Sequence, residues 1–211
     1  MHVKWNSPTN EYSKLNSDEA CSIPNQKRGF GGVIRDSTGK WLLEYMGTRP
    51  MRKHSYMELT ALQESLRLAL QHNTTSLEVN VDSTEVISLL GSLNSHYSSL
   101  IHECRYLLHQ LDRPWVIHTY REQNQVANKL AKYGATLDHN APTTGFVQPP
   151  SFKIQELLAD HRGTLHKRTT HTTVQLEHLS FCLDMLAISC NSNHVLFGNA
   201  TQIGVSDQPY F

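Results

Sequence analysis

Apolar residues recur at strand spacing three times before they recur at helical spacing, and this order limits the fold more than any other feature of the chain. Residues 14–21 and 29–36 are extended in character, and residues 40–46 read as a third strand. Asp36-Ser37-Thr38-Gly39 between the second and third is a hairpin signal. From 55 to 71 the period becomes helical, with Leu59, Leu62, Leu66, Ala69 and Leu70 on one stripe. Residues 77–81 alternate as a strand. A short helix is expected over about 83–90, closed by Gly91, and another over about 98–111, with Ile101, Cys104, Leu107 and Leu108 on one face. Pro114 and Trp115 open a last strand over 115–120. A helix follows over 123–133, with Gly134 where a capping glycine belongs.

The order β-β-β-α-β-α-α-β-α predicts an α/β domain with a mixed five-stranded sheet flanked by helices. Its first three strands should be antiparallel, and its last two parallel through helical crossovers. Gly29, Gly31 and Gly32 look like a phosphate loop, but they precede a strand rather than a helix. Backbone crowding or a bulge accounts for them better.

Beyond Gly134 the character shifts. Pro142, Gly145, Pro149 and Pro150 mark a linker, and Ile154, Leu157 and Leu158 suggest one short helix. From 164 the chain is rich in Thr, His, Ser and Asn, with helical spacing only at Leu176, Leu179, Leu183 and Leu186. The expected organisation is a domain over 1–136, a linker with a short helix over 137–163 and a poorly ordered tail over 164–211.

Lys plus Arg and Asp plus Glu both total 19, so the net charge is zero, which excludes a polybasic coat but leaves room for a local patch. The four cysteines include no Cys-x-x-Cys pair, so reduced thiols are expected rather than disulfides or structural zinc. Residues 1–10 have no apolar core, and no apolar run approaches the roughly 20 residues that span a bilayer. An intracellular, non-secreted monomer without membrane contact is expected.

Four positions carry the chemistry. Asp18 and Asp82 lie at or near strand ends, and Glu58 and Asn128 lie on helical runs. Brought together, they would form an oxygen-rich nest for divalent cations. Two hard cations about 3.5–4 Å apart can activate a water and stabilise the leaving oxygen of a phosphodiester. Magnesium takes oxygen ligands, commonly one or two carboxylates per ion. Singly, each residue has a plainer reading: Asp82 with Glu85 resembles a capping box, Glu58 a surface helix residue, Asp18 a polar strand end and Asn124 a helix cap. Trp41 and Trp115 read as core. Arg49, Arg52, Lys53 and His54 read as a loop ahead of the first helix, either solvated or contacting phosphate.

The segments Lys14-Leu15-Asn16-Ser17-Asp18, Gly29 to Asp36, Glu58-Leu59-Thr60-Ala61-Leu62, Val81-Asp82-Ser83 and Tyr120 to Ala131, in this order and spacing, resemble the ribonuclease H-like domain of plants. That family is related to the ribonuclease H domains of retroelement polyproteins. Val3-Lys4-Trp5 with Pro8, and Leu157-Leu158-Ala159-Asp160-His161-Arg162-Gly163, extend the likeness. The resemblance implies an endonuclease cutting the RNA strand of RNA–DNA hybrids with Mg2+ or Mn2+, through two ions. Asp18, Glu58, Asp82 and Asn128 would be the catalytic metal ligands. Asn16, Ser83 and Asn124 would meet the substrate, read through backbone, 2′-hydroxyl and groove shape. Two positions depart from the pattern: Asn128 stands where the family usually has Asp, and Glu19 where it usually has Gly. The stretch 91–99 is short and nearly uncharged, with no long basic protrusion, so weak hybrid affinity is expected. A catalytically silent nucleic-acid-binding domain of retroelement origin is the alternative. An exonuclease is a third reading, and it would call for a Tyr or His base near the fourth position.

Overall fold

The computed structural model describes residues 1–168 except 25, 75, 93–95, 139, 140, 147 and 149. Its central sheet holds strands β2 (Ser13–Ser22), β3 (Lys27–Arg35), β4 (Trp41–Pro50), β5 (Leu77–Val81), β6 (Trp115–His118) and β7 (Thr144–Phe146), in the order β6-β5-β2-β3-β4-β7. β1 (His2–Val3) and β8 (His166–Lys167) form a separate antiparallel pair. The helices are α1 (His54–Gln71), α2 (Thr84–Gly91), α3 (Ser98–Gln110), α4 (Gln125–Gly134) and α5 (Ile154–His161).

β2, β3 and β4 run antiparallel, and β5 and β6 are parallel to β2, the arrangement that the order of periodicities implies. In the β3–β4 turn Asp36 Oδ1 accepts the backbone N–H groups of Thr38 and Lys40, both at 2.9 Å, and Gly39 takes φ +81°. That conformation suits glycine.

Side chains alternate across the sheet. One face buries Leu15, Ile34, Leu43 and Val79 against α1 (Leu59, Leu62, Leu66) and α3 (Ile101, Cys104, Leu108). The other buries Val33 and Met46 against Val126 and Leu130 of α4, with Phe152 and Leu157 packed alongside. Burying each such leucine contributes about 1.5–3 kcal/mol.

The region expected as a linker with a short helix, 137–163, contributes β7 and α5. β7 adds a sixth strand to the free edge of β4. It is three residues long and contains Gly145, too short for an alternating pattern to register. Asp160 of α5 reaches Arg35 Nη1 at 2.7 Å, and both side chains are buried. The Arg35 guanidinium stacks on Trp5 at 3.8 Å. Residues 164–168 include β8, and the remainder of the expected tail, 169–211, lies outside the described residues.

Three local expectations are corrected. Trp115 is 70% exposed, because β6 is the outer strand of the sheet. Gly134 is the last residue of α4 rather than a left-handed cap, and a Cβ there would lie 2.4 Å from Gly47 O on β4. The cap of α2 is Ser83, whose Oγ accepts Val86 N–H at 3.3 Å, so Asp82 stands just ahead of the helix.

Candidate active site

The sheet brings three separate carboxylates to one point. Ser17 of β2 pairs with Val81 of β5, so Asp18 and Asp82 follow side by side. Glu58 sits in the second turn of α1, which crosses the sheet face next to them. One oxygen each of Asp18, Glu58 and Asp82 lies within 4.8 Å of the others.

Asn128 arrives from the opposite face, and the glycines of β3 make this approach feasible. Asp18 pairs with Gly31, where a Cβ would lie 2.5 Å from Leu130 Cβ and 2.7 Å from Ala131 N. At Gly29 a Cβ would meet Ala131 O at 2.0 Å. The helix therefore lies directly on the sheet, and Asn128 Nδ2 donates to Asp18 Oδ2 at 2.7 Å. The other Asp18 oxygen accepts Glu19 N–H at 2.8 Å.

Crowding three carboxylates with little solvent raises their affinity for protons. Burial, then Asp82, pushes Asp18 up to about 8 against the relief of Asn128, Glu19 N–H and Arg121. Glu58 is pushed up to about 10 by burial, then by Asp82, Asp18 and Glu19. Asp82 is also raised by burial, opposed by Arg121 and His54. Arg121 favours the ionised form of all three.

The three residues fit a hard divalent cation. Asp82 Oδ1 is buried and takes no hydrogen bond, an orphan that a cation would satisfy. The set is all oxygen, which suits Mg2+ or Mn2+.

Around this floor opens a cleft of about 570 Å3. His118 at the end of β6 and Tyr120 and Arg121 just after it line the cleft, together with Ser83, Lys132 and Arg168. The Arg168 guanidinium lies over the Tyr120 ring at 3.8 Å and bonds Glu122 at 3.0 Å. Desolvation lowers the pKa of His118.

Of the residues expected to meet substrate, Ser83 lines the cleft. The other two are buried and hold the frame around it. Asn124 is 1% exposed and its Nδ2 donates to Ser17 O at 2.9 Å, which ties the start of α4 to β2. Asn16 is also 1% exposed, and its Oδ1 accepts from Trp5 Nε1 and Arg35 Nη2, both at 3.1 Å. It shares a strand face with Asp18 but sits two residues deeper, under Trp5.

The loop read as Arg49, Arg52, Lys53 and His54 divides. Arg49 is the penultimate residue of β4 and turns to Glu64 at 3.1 Å, while His54 opens α1 and lines the cleft. Tyr133, one turn past Asn128, stacks on Phe152 with centroids 4.2 Å apart and does not line the cleft.

The sequence reading missed Arg28 and His54 as partners of Glu19. Arg28 Nη1 lies 2.8 Å from both Glu19 oxygens, and His54 Nδ1 bonds Glu19 Oε1. Glu19 and Arg28 are diagonal neighbours across β2 and β3, a relation visible only once the register is known.

A family model described as reverse transcriptase-like matches residues 16–134, more than half of the chain. A curated Arabidopsis thaliana protein named for ribonuclease H is 30% identical over 138 residues, covering 64% of this chain. The match spans only 22% of that relative, about a fifth of its length. Among solved structures, ribonuclease H1 of Halobacterium salinarum is similar with a TM-score of 0.53 and 23% identity, over 58% of this chain and 96% of that one. The N-terminal ribonuclease H domain of a Mycobacterium tuberculosis protein gives 0.53 and 19%, over 59% and 93%. LC11 ribonuclease H1, solved with an RNA/DNA hybrid, gives 0.52 and 17%, over 58% and 96%. These structural likenesses establish a ribonuclease H-like fold.

Proposed function

The chain belongs to the reverse transcriptase-like family, and from this and the cleft we propose that it hydrolyses the RNA strand of RNA–DNA hybrids with a divalent cation. The convergence of Asp18, Glu58 and Asp82 oxygens within 4.8 Å carries this reading. Such a cluster is costly without a counter-charge, as the raised proton affinities of its members testify.

Asp18, Glu58 and Asp82 would hold Mg2+ or Mn2+, which when bound supplies an activated water and neutralises charge on the phosphate. A pair of ions, the arrangement that the resemblance implies, would draw its fourth protein ligand from Asn128, whose carboxamide brings an oxygen without a charge. Asn128 and Glu19 N–H fix the plane of the Asp18 carboxylate. Asn124 holds the start of α4 against β2, and so holds Asn128 in place. Arg121, Lys132 and Arg168 offer cations along the cleft for backbone phosphates. The Ser83 hydroxyl lies beside Asp82, where it can meet a sugar or phosphate oxygen.

The second reading is a nucleic-acid-binding domain without turnover. It is favoured by Asn128, which removes one charge from the nest, and by Glu19, which adds an anion to the cleft wall.

Incubation of a labelled RNA–DNA hybrid with Mg2+ or Mn2+ separates the two. Internal cuts in the RNA strand, abolished by Asp18→Asn and increased by Asn128→Asp, support hydrolysis. Retained binding with no cuts from either the wild type or Asn128→Asp supports the silent reading.

A further inference from the structure

One wall of the cleft is an ion-paired cluster that adjoins the cation site at Glu58. Glu19 is 6% exposed although it lines the cleft. Both of its carboxylate oxygens lie 2.8 Å from Arg28 Nη1, and one also meets His54 Nδ1. The other ring nitrogen of His54 is 3.5 Å from Glu58 Oε1. The chain thus carries an oxyanion of its own, held by an arginine and an imidazole, with an oxygen within 4.8 Å of the Glu58 carboxylate.

An arginine presents the same donors to a carboxylate as to a phosphate. The neighbouring cations are partly committed as well: Arg168 bonds Glu122. Arg121 lies near enough to the carboxylate floor to favour its ionised form. Among the described residues Lys132 makes no ion pair. A strand entering the cleft therefore finds Arg28 and His54 already occupied at the point nearest the cation ligands.

We propose that Glu19 stands in for a backbone phosphate on Arg28 and His54, and that a bound nucleic-acid strand displaces it. Glu19 is then a determinant of hybrid affinity, deepening the hybrid-binding reading on which it rests. The exchange keeps Arg28 Nη1 paired throughout, because a phosphate oxygen replaces a carboxylate oxygen. Removing the carboxylate frees both groups in advance and deletes a like charge from the path of the strand.

The test is fluorescence anisotropy of a labelled RNA–DNA hybrid with the full chain. A chelator is present so that no strand is cut. Salt is varied between about 50 and 200 mM, a range over which each phosphate contact changes affinity measurably. Glu19→Ala and the near-isosteric Glu19→Gln should bind about threefold to tenfold tighter at the low-salt end, with the salt slope steeper by up to about 0.9, because no displaced carboxylate is left to take up a cation as the phosphate releases one. Adding Arg28→Ala to Glu19→Ala should remove the gain and restore the slope. A role for Glu19 in folding alone would lower the melting temperature without steepening the slope. Wild-type binding with no gain in either variant overturns the role of Glu19 and leaves the hybrid reading standing. So does a gain that survives Arg28→Ala. No binding by the wild type or any variant removes both.

Discussion

Asn128 donates its amide to Asp18 Oδ2 across 2.7 Å, so the residue at the position where the resemblance implies a fourth ligand acts here as a hydrogen-bond donor to Asp18. A carboxylate at that position would face Asp18 with like charge wherever both ionise, which for Asp18 is above about pH 8. Without metal, Asn128→Asp should therefore lower stability by about 1–3 kcal/mol, the cost of a lost charged hydrogen bond and an unpaired buried acid. Added Mn2+ should raise the melting temperature of Asn128→Asp by more than it raises that of the wild type. Equal rises would show that position 128 does not bear on the cation.

The carboxylate floor also fixes a pH dependence. Asp18 rises from its ordinary 3.8 to about 8, and Glu58 from 4.5 to about 10. Between those limits the folded chain binds more protons than the unfolded chain, so its metal-free stability falls as pH rises. The contribution is complete below about 4 and is lost through about 8 for Asp18 and about 10 for Glu58. The slope is at most ~1.4 kcal/mol per group per pH unit. Urea denaturation in chelator across this range should show the decline, and Glu58→Gln should flatten it. A wild-type profile that rises with pH would contradict the arrangement.

Arg35 and Asp160 form a buried ion pair between β3 and α5 at 2.7 Å. Removing one partner leaves the other charge stranded, so Asp160→Ala should cost about 3–5 kcal/mol in a denaturant titration. A change below about 1 kcal/mol, the range of exposed pairs, would mean that α5 does not close over the sheet.

Gly31 is the position where α4 comes down on β3, with only 2.5 Å between its missing Cβ and that of Leu130. Gly31→Ala should displace the helix, lowering stability by about 1–3 kcal/mol as overpacking does. It should also weaken Mn2+ uptake by moving Asn128 away from Asp18. Unchanged stability and uptake would show that the helix has slack at this point.

What was legible in the sequence is what local periodicity records. Strands β2 to β5 and helix α1 follow from spacing, while Asp18, Glu58 and Asp82 are set apart as a group by the resemblance. Asn16 shows the limit of a period-two pattern. It shares a face with Asp18, but whether that face is cleft or core depends on Trp5 and on Arg35, whose partner Asp160 lies far along the chain. Trp115 shows another limit, since a strand's place at the sheet edge is a topological fact. The Glu19–Arg28–His54 cluster needed both the β2–β3 register and the packing of α1. The sixth strand was too short to leave a pattern.

The central claim is that Asp18, Glu58 and Asp82 act together as a cation site. Calorimetric titration of Mn2+ into the wild type, Asp18→Asn and Asp82→Asn tests it most directly. The expected result is saturable uptake by the wild type with proton release, lost in both variants while each stays folded. No saturable uptake by the wild type, or uptake undiminished in either variant, contradicts it.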